Sequence, residues 1–228
     1  MSAIWGMISK ENAIANTVVD KMQNSMKSFK IDCYQNLVQG SVYFACGLQY
    51  FTKESHFEQL PLYDETSHTF FTADCVLTNR TEVINMLKNL CTTSDLSSLG
   101  DGMLSYKLYQ YIGERFVEHL RGSFSFAVYN EENKELLLYA DHFAKRYLAY
   151  HIDNRGICFS TAYQPLLSVM QTPCRINKRW IASAYTDCSA DTIKLHASSV
   201  YENIYHVEPG QYVKINIQNN QLEKNKKN

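Results

Sequence analysis

The feature that most constrains the fold is a set of four apolar segments, rich in strand-forming residues, in the middle of the chain. "GSFSFAVYN" and "KELLLYAD" are separated by a short polar turn, and "RYLAYHI" and "GICFSTA" are joined by "DNRG". Strand-forming residues on both sides of a short turn are typical of β-hairpins, and Gly156 suits a positive φ at the end of the second turn. The pattern predicts one domain of mixed α and β structure with a large antiparallel component.

Segments on either side of these hairpins predict further strands and helices. "AIWGMIS", "SVYFACGLQYF", "HTFFTADCVL" and "GQYVKINI" are apolar and rich in β-formers, so each predicts a strand. "NRTEVINMLKNL" predicts a helix, with Thr78 or Asn79 able to cap it and Glu82 placed for a capping box. Helices are also predicted after Asp101 and at "YQPLLSVM" and "NKRWIASAY". Another helix is predicted from one stripe of residues at helical spacing: Ile14, Val18, Met22, Met26 and Phe29.

The composition argues against several classes of function. Lys plus Arg (22) nearly balances Asp plus Glu (23), so no overall charge attracts nucleic acid or an acidic membrane. The chain has no apolar run long enough to span a bilayer, and its first residues have no signal-peptide pattern. Its seven cysteines and seven histidines lack C-x-x-C and H-E-x-x-H spacings, so neither a disulfide framework nor a metal site is predicted. We expect a soluble, cytoplasmic protein.

The opening stretch "MSAIWGM" has a small residue directly behind the initiator Met. Removal of Met1 would leave Ser2 with a hydroxyl beside a free α-amine, and this pair is a known catalytic arrangement. The ordinary pKa of such an amine is about 8, so it can act as a base near neutral pH. Many proteins begin Met-Ser without a chemical role, and the opening stretch alone leaves both interpretations open.

The stretch "LRGSFSFAVYNEENKELLLYADHFAKRYLAYH" resembles the amidotransferase domain of asparagine synthetases and their relatives, including β-lactam synthetases and lasso-peptide cyclases. The family pattern is G-x-F-A-F-A-L-W-D followed by L-L-L-A-R-D-R-F-G-I-K-P-L-Y-Y. "TNRTEV", "FSTAYQPLL" and "SVYENIYHVEPGQYV" are similar to further family segments. The resemblance implies an α+β fold, the four-layer αββα Ntn-hydrolase sandwich with two antiparallel sheets. The shared residues are Gly122, Phe124, Phe126, Ala127, Leu137, Leu138, Asp141, Phe143, Leu148 and Tyr150.

The resemblance also implies the positions of a glutamine site, and most of its residues are replaced here. In the family the second residue is a cysteine that attacks the side-chain amide of glutamine, and Ser2 lies at that position. Tyr50 replaces the arginine that holds the substrate's α-carboxylate, and a phenol cannot copy a guanidinium clamp. Asp74 and Cys75 replace the Asn and Gly that stabilise the oxyanion. An ionised Asp would repel that charge, and a hydroxyl is a weaker nucleophile than a thiol.

Asp101 is the one pocket position that agrees with the family. The resemblance implies that its carboxylate receives the α-amino group of the substrate. An aspartate at the start of a helix is also a common N-cap. Both roles stay open for Asp101 at this point.

These substitutions lead to two main hypotheses. The first is an amidotransferase-like domain of an asparagine synthetase-type protein that lacks glutaminase activity and is a structural or interaction module for a synthetase domain. It predicts a closed or filled pocket, consistent with the bulk of Tyr50, Phe51 and Cys75. The alternative is an active N-terminal-serine amidohydrolase or glutaminase that uses Ser2 with altered substrate binding, which requires loss of Met1. A third hypothesis, capture of a peptide at an exposed strand edge, rests on the family comparison alone.

Cofactors and partners follow from what the sequence lacks. No ATP-pyrophosphatase loop of the S-G-G-x-D-S type and no Gly-rich phosphate loop occurs, so ATP and Mg²⁺ are expected only in a partner or missing synthetase domain. The expected partner is such a domain in the same chain or in another, with a homodimer as an alternative. Residues 1–216 are predicted to form the domain, and residues 217–228 a polar tail or linker. Whether the natural protein extends beyond residue 228 is left open.

Overall fold

Two six-stranded antiparallel sheets form the centre of the computed structural model, which describes residues 2–10, 12–90, 95–171, 173–186 and 197–226. The first sheet has the order β10-β8-β9-β1-β3-β2 and the second β12-β11-β7-β6-β5-β4. The strands are β1 (Ala3–Ser9), β2 (Cys33–Gln39), β3 (Val42–Leu48), β4 (Leu62–Asp64), β5 (Thr69–Leu77), β6 (Gly122–Asn130), β7 (Glu135–Ala140), β8 (Ala149–Asp153), β9 (Gly156–Ser160), β10 (Tyr205–His206), β11 (Gln211–Asn216) and β12 (Leu222–Lys226).

Helices cover the outer faces of both sheets. Met22 and Leu166, on the first and fourth helices, pack with Trp5 of β1 outside the first sheet. The third helix packs on β5 outside the second sheet, where the rings of Tyr106 and Phe71 lie 5.0 Å apart. The layers are therefore helix, sheet, sheet, helix, and the predicted αββα sandwich is confirmed. The helices are α1 (Asn16–Ser25), α2 (Arg80–Leu90), α3 (Asp101–Ile112), α4 (Tyr163–Val169) and α5 (Lys178–Thr186).

The strand β1 is apolar from Ala3 to Ile8 because both of its faces are covered. Ile4 and Ile8 face the layer between the sheets, whereas Trp5 and Met7 face the helices. A strand buried on both sides has no reason to alternate apolar and polar residues. Gly6 is required at the centre of this strand, because a Cβ atom there would lie 2.6 Å from the Phe159 ring.

The two central hairpins agree with the sequence, and other predictions need correction. β6 pairs with β7 and β8 with β9, and Gly156 has a φ of +146°. The predicted first helix ends at Ser25, and Phe29 at the end of its stripe is 37% exposed. The helix that begins at Asp101 ends at Ile112, and a 3₁₀ segment (Gly113–His119) follows it. The sequence reasoning missed β2, β4, β10 and β12.

The C-terminal residues correct the predicted domain boundary. β12 pairs with β11 along the register from Gln211↔Lys226 to Ile215↔Leu222. The boundary placed after residue 216 therefore falls inside a hairpin, and the interpretation of residues 217–226 as a polar tail is wrong. Residues 227–228 lie outside the described part of the chain. A polar strand at the edge of a sheet can form without a regular pattern of apolar residues. The sequence of β12 therefore gave little indication of a strand.

Five cysteines of the described residues carry free thiols: Cys33, Cys46, Cys75, Cys158 and Cys174. Cys91 and Cys188 lie outside those residues. None of the helices in the described ranges is long and apolar enough to cross a membrane.

A buried aspartate fixes the loop between β7 and β8. Asp141 is fully buried, and its carboxylate accepts four backbone N–H bonds. The donors are Phe124 (3.2 Å), Phe143 (2.9 Å), Lys145 (3.2 Å) and Arg146 (3.3 Å). Because a buried charge is tolerated only when its lone pairs are satisfied, the loop and β6 are held together by this one side chain.

The substitution Asp141→Asn should lower the free energy of unfolding by about 3 kcal/mol, because an amide group cannot accept the N–H bonds of one carboxylate oxygen. Urea denaturation followed by circular dichroism measures the loss. Asp20→Asn, at an exposed position of α1, is the matched control and should stay within about 0.5 kcal/mol of the wild type. Equal stability of the Asp141 variant and the control would contradict this role.

Candidate active site

A small cavity lies where the first residues of the chain, the end of β3 and the start of α3 meet. Its volume is about 30 Å³, and one water molecule needs about 10–15 Å³ of such space. The residues that line it are Ser2, Leu48, Gln49, Phe51, Thr52, Ser55, Glu58, Ala73, Cys75, Val76 and Asp101.

The hydroxyl of Ser2 lies at this cavity because β1 begins at the next residue, beside the end of β3. The register pairs Ala3 with Gly47. The backbone N–H of Gln49 donates a 3.0 Å hydrogen bond to Ser2 Oγ. An oxygen that accepts an N–H bond is a poorer nucleophile, because the bond withdraws electron density from its lone pairs.

Asp101 lies at the cavity with both carboxylate oxygens engaged. Its Oδ1 is 2.5 Å from Nη1 of Arg80, and its Oδ2 accepts a 2.8 Å hydrogen bond from the N–H of Leu77. Asp101 is the first residue of α3, and Gly100 is the N-cap residue, without a side-chain cap bond. Of the two roles left open for Asp101, the structure therefore excludes the helix cap. The carboxylate instead joins the start of α2 to the end of β5.

The start of α3 is capped by Glu58, a residue that the sequence reasoning missed. Its two oxygens accept hydrogen bonds from the N–H groups of Gly102 (2.9 Å) and Met103 (2.8 Å). A Cβ atom on Gly100 would lie 2.3 Å from Glu58 Oε2. The only sequence signal was the pair of glycines around Asp101, since paired glycines at a helix start can indicate a close approach.

Glu58 is buried, and this decides its protonation. Burial raises its pKa to about 7, and the two backbone hydrogen bonds oppose that rise without cancelling it. Asp101 adds to the rise and Arg80 opposes it. The cavity therefore contains a carboxyl group that changes charge near neutral pH.

Asp74 and Cys75 point to opposite faces of β5, because side chains alternate along a strand. Asp74 does not line the cavity: its Oδ2 lies 3.0 Å from Nη1 of Arg146 in a buried ion pair. Burial raises the pKa of Asp74 to about 7, against the attraction of Arg146. Cys75 faces the cavity with its Sγ 3.8 Å from Ser105 Oγ, and burial raises the pKa of its thiol, which stays uncharged.

Tyr50 lies outside the cavity. Its ring stacks on His56 with the ring centroids 4.0 Å apart, and its backbone N–H donates a 3.0 Å hydrogen bond to Asp32 Oδ2. The next residue, Phe51, lines the cavity in its place. The structure thus brings together Ser2, Cys75 and Asp101 of the predicted site, and it places Tyr50 and Asp74 elsewhere.

The described residues that line the cavity include acidic side chains and no basic one. Two of its lining residues, Glu58 and Asp101, are acidic, and none of those that the structure describes is basic. An α-carboxylate entering here would meet no cation and would approach like charges. Over the described ranges, no group of three or more His, Cys, Asp or Glu residues could hold a metal ion.

The layer order and the position of residue 2 together define the class of protein. Two antiparallel sheets between helices, with a hydroxyl-bearing residue before the first strand and a cavity beside it, form an Ntn-hydrolase sandwich. The profile of the family described as "Glutamine amidotransferase domain" matches residues 1–226. The chain belongs to this family of class II glutamine amidotransferase domains.

Curated relatives and a solved structure agree with this assignment. The amidase chry2 of Gibberella zeae is 26% identical over 106 residues, 46% of this chain and 15% of the amidase. The glutamine-hydrolyzing asparagine synthetase 2 of Bacillus subtilis is 25% identical over 115 residues, 50% of this chain. Glutamine phosphoribosylpyrophosphate amidotransferase of B. subtilis, complexed with ADP and GMP, has a TM-score of 0.67 and 13% identity over 99% of this chain and 49% of that chain. Each curated match spans only 15% of the relative.

The buried carboxyl of Glu58 predicts a pH dependence of stability. Its pKa rises on folding from the ordinary 4.5 to about 7, so the native state holds a proton that the unfolded chain releases between these values. The contribution of this proton is fully present below the unfolded pKa and is lost as pH rises through about 7. Glu58→Gln should therefore show a shallower loss of stability between pH about 5 and about 8, by up to about 1 kcal/mol per pH unit.

Urea denaturation across this pH range measures the difference. Asp74 titrates in the same window and is unchanged in the variant, so the comparison isolates the Glu58 contribution. Glu65→Gln, at an exposed turn, is the matched control and should keep the slope of the wild type. A Glu58 variant with the slope of the wild type would rule out the raised pKa.

Proposed function

We propose that this amidotransferase domain does not hydrolyse glutamine and acts as a structural and interaction module for an ATP-dependent, amide-forming synthetase domain. The observation that carries the proposal is the Asp101–Arg80 ion pair, with its 2.5 Å contact, at the position that the family resemblance implies for recognition of the substrate's amino group. A protein cation already occupies the acceptor that a substrate ammonium would need. The pocket is filled by the chain's own side chains.

The nucleophile position supports the same proposal. Ser2 offers a hydroxyl where the family has a thiol, and its oxygen already accepts a bond from Gln49. A serine hydroxyl reacts at neutral pH only when a base activates it. Besides the α-amine that removal of Met1 would free on Ser2, the cavity offers Glu58 with a pKa suited to that task, yet both of its oxygens are bound to the backbone of α3.

The oxyanion position adds a third argument. Asp74 stands where the family has an amide, and Arg146 holds it in the interior as a buried ion pair. An amide N–H aimed at a developing oxyanion contributes about 3 kcal/mol to catalysis, and a carboxylate oxygen cannot donate such a bond. Three functions that glutamine hydrolysis needs are thus replaced by contacts that hold the domain together.

The relatives support a synthetase partner, in the same chain or in another. The similar protein of B. subtilis is named as a glutamine-hydrolyzing asparagine synthetase, and the matched stretch spans 15% of it. ATP and Mg²⁺ would bind in that partner domain, and the reaction would use an amine of its own substrate in place of released ammonia.

Intact mass spectrometry with a diazo-ketone analogue of glutamine tests the loss of activity. The wild-type protein should gain no adduct, with or without Met1, and glutamate release from glutamine should stay at the buffer rate. The asparagine synthetase of B. subtilis, assayed in parallel, is the positive control. An adduct that maps to Ser2 would contradict the proposal and favour an active N-terminal-serine amidohydrolase.

A second variant distinguishes two explanations for the expected inactivity: the lack of a thiol nucleophile and a pocket that is already filled. Ser2→Cys supplies the family's thiol and leaves the Arg80–Asp101 pair in place, so we expect it to stay unlabelled by the analogue and inactive. Because Ser2 is only partly buried and Cys is similar in size, this variant should fold. Glutamate release by Ser2→Cys would show that the pocket admits glutamine and would contradict the filled-pocket argument.

A further inference from the structure

A second, larger cavity lies between the end of β9, the fourth and fifth helices, and β10. Its volume is about 250 Å³. Four of its walls are rings, those of Tyr147, Tyr163, Trp180 and His206. The glutamine site does not include any of these residues, and Ser2 does not line this cavity.

The rings form a slot and do not pack into a closed core. Tyr147 is 64% exposed and stands edge-on to His206, with ring centroids 5.8 Å apart and an interplanar angle of 74°. The Tyr163 ring lies 5.6 Å from His206. Aromatic walls at such distances favour a further ring, which can place its edge or its offset face against theirs.

One polar pair stands among these apolar walls. Tyr163 Oη and His206 Nε2 are joined by a 2.6 Å hydrogen bond. Burial lowers the pKa of His206, so the imidazole is neutral at pH 7. The Tyr163 hydroxyl also hydrogen-bonds the Ser199 side chain, so one of its oxygen lone pairs stays available to accept a further hydrogen bond. The pair can therefore serve one polar group on the edge of a ligand.

The charge of the lining residues and the size of the cavity limit the range of ligands further. The other described lining residues are Ala149, Ser160, Thr161 and Ala162, so no lysine, arginine or carboxylate among them would select an ion. A cavity of about 150 Å³ lined by apolar side chains can hold benzene, so 250 Å³ accepts one substituted ring. A dinucleotide cofactor or a nucleotide would be too large for this cavity.

We propose that this cavity, defined by Tyr147, Tyr163, Trp180 and His206, is a binding site for a single uncharged aromatic ring with one polar group, such as a phenol. The ring lies between Tyr147 and Trp180, and its polar group meets the Tyr163–His206 pair. The ligand is either a free small molecule or a tyrosine side chain of a polypeptide, since both present the same phenol.

Trp180 provides a fluorescence signal from the wall of the cavity, so ligand binding can be measured there. The chain has two tryptophans, and the other, Trp5, is fully buried in β1. Titration with p-cresol, with excitation at the red edge of tryptophan absorption, should give a saturable fluorescence change with a Kd of about 1 mM or below. Trp180→Phe should lose this signal while heat of binding is still measured by calorimetry.

A pair of tyrosine variants controls the experiment. Tyr147→Ala removes an exposed wall and should weaken p-cresol binding about fivefold or more. Tyr111→Ala, on the half-exposed tyrosine of α3, should bind like the wild type. N-acetyl-tyrosinamide distinguishes the two sources: binding comparable to p-cresol favours a polypeptide side chain, and binding of p-cresol alone favours a small molecule. A change that does not saturate, or that Tyr147→Ala leaves intact, would overturn the proposal.

Discussion

The carboxylate of Asp101 is the interaction on which the architecture of the site depends. It joins the Leu77 N–H at the end of β5, the Arg80 side chain on α2, and its own position at the start of α3. Arg80 in turn donates to the carbonyl of Ser97, before α3. One charged pair, partly shielded from solvent, thus connects three elements around the cavity.

The remaining changes at the site follow the same logic. Glu58 caps the start of α3, and Arg146 pairs with Asp74 inside the sandwich. The fold of a glutamine amidotransferase domain here carries ion pairs and hydrogen bonds between residues of the chain itself around the small cavity.

The apolar pattern and turn chemistry predicted the central hairpins and a mixed α and β domain, and the family resemblance supplied the two-sheet sandwich. The resemblance also placed Ser2, Cys75 and Asp101 near one another. The sequence did not predict that Glu58 caps α3 or that Arg80 holds Asp101, since both contacts join residues about 20 to 45 positions apart and no local pattern encodes them. The sequence reasoning missed β12 for a related reason. This strand is polar, and its pairing with β11 rather than an apolar pattern of its own defines it.

Binding of glutamine itself tests the central claim, a pocket filled from within, most directly. The protein labelled with ¹⁵N is titrated with L-glutamine to about 10 mM, a concentration at which even a millimolar site would be largely occupied. The account predicts that the backbone amide signals of Leu77, Gly102 and Met103 do not move. Saturable shifts of these three signals would mean that glutamine displaces the internal carboxylates, and would contradict the account.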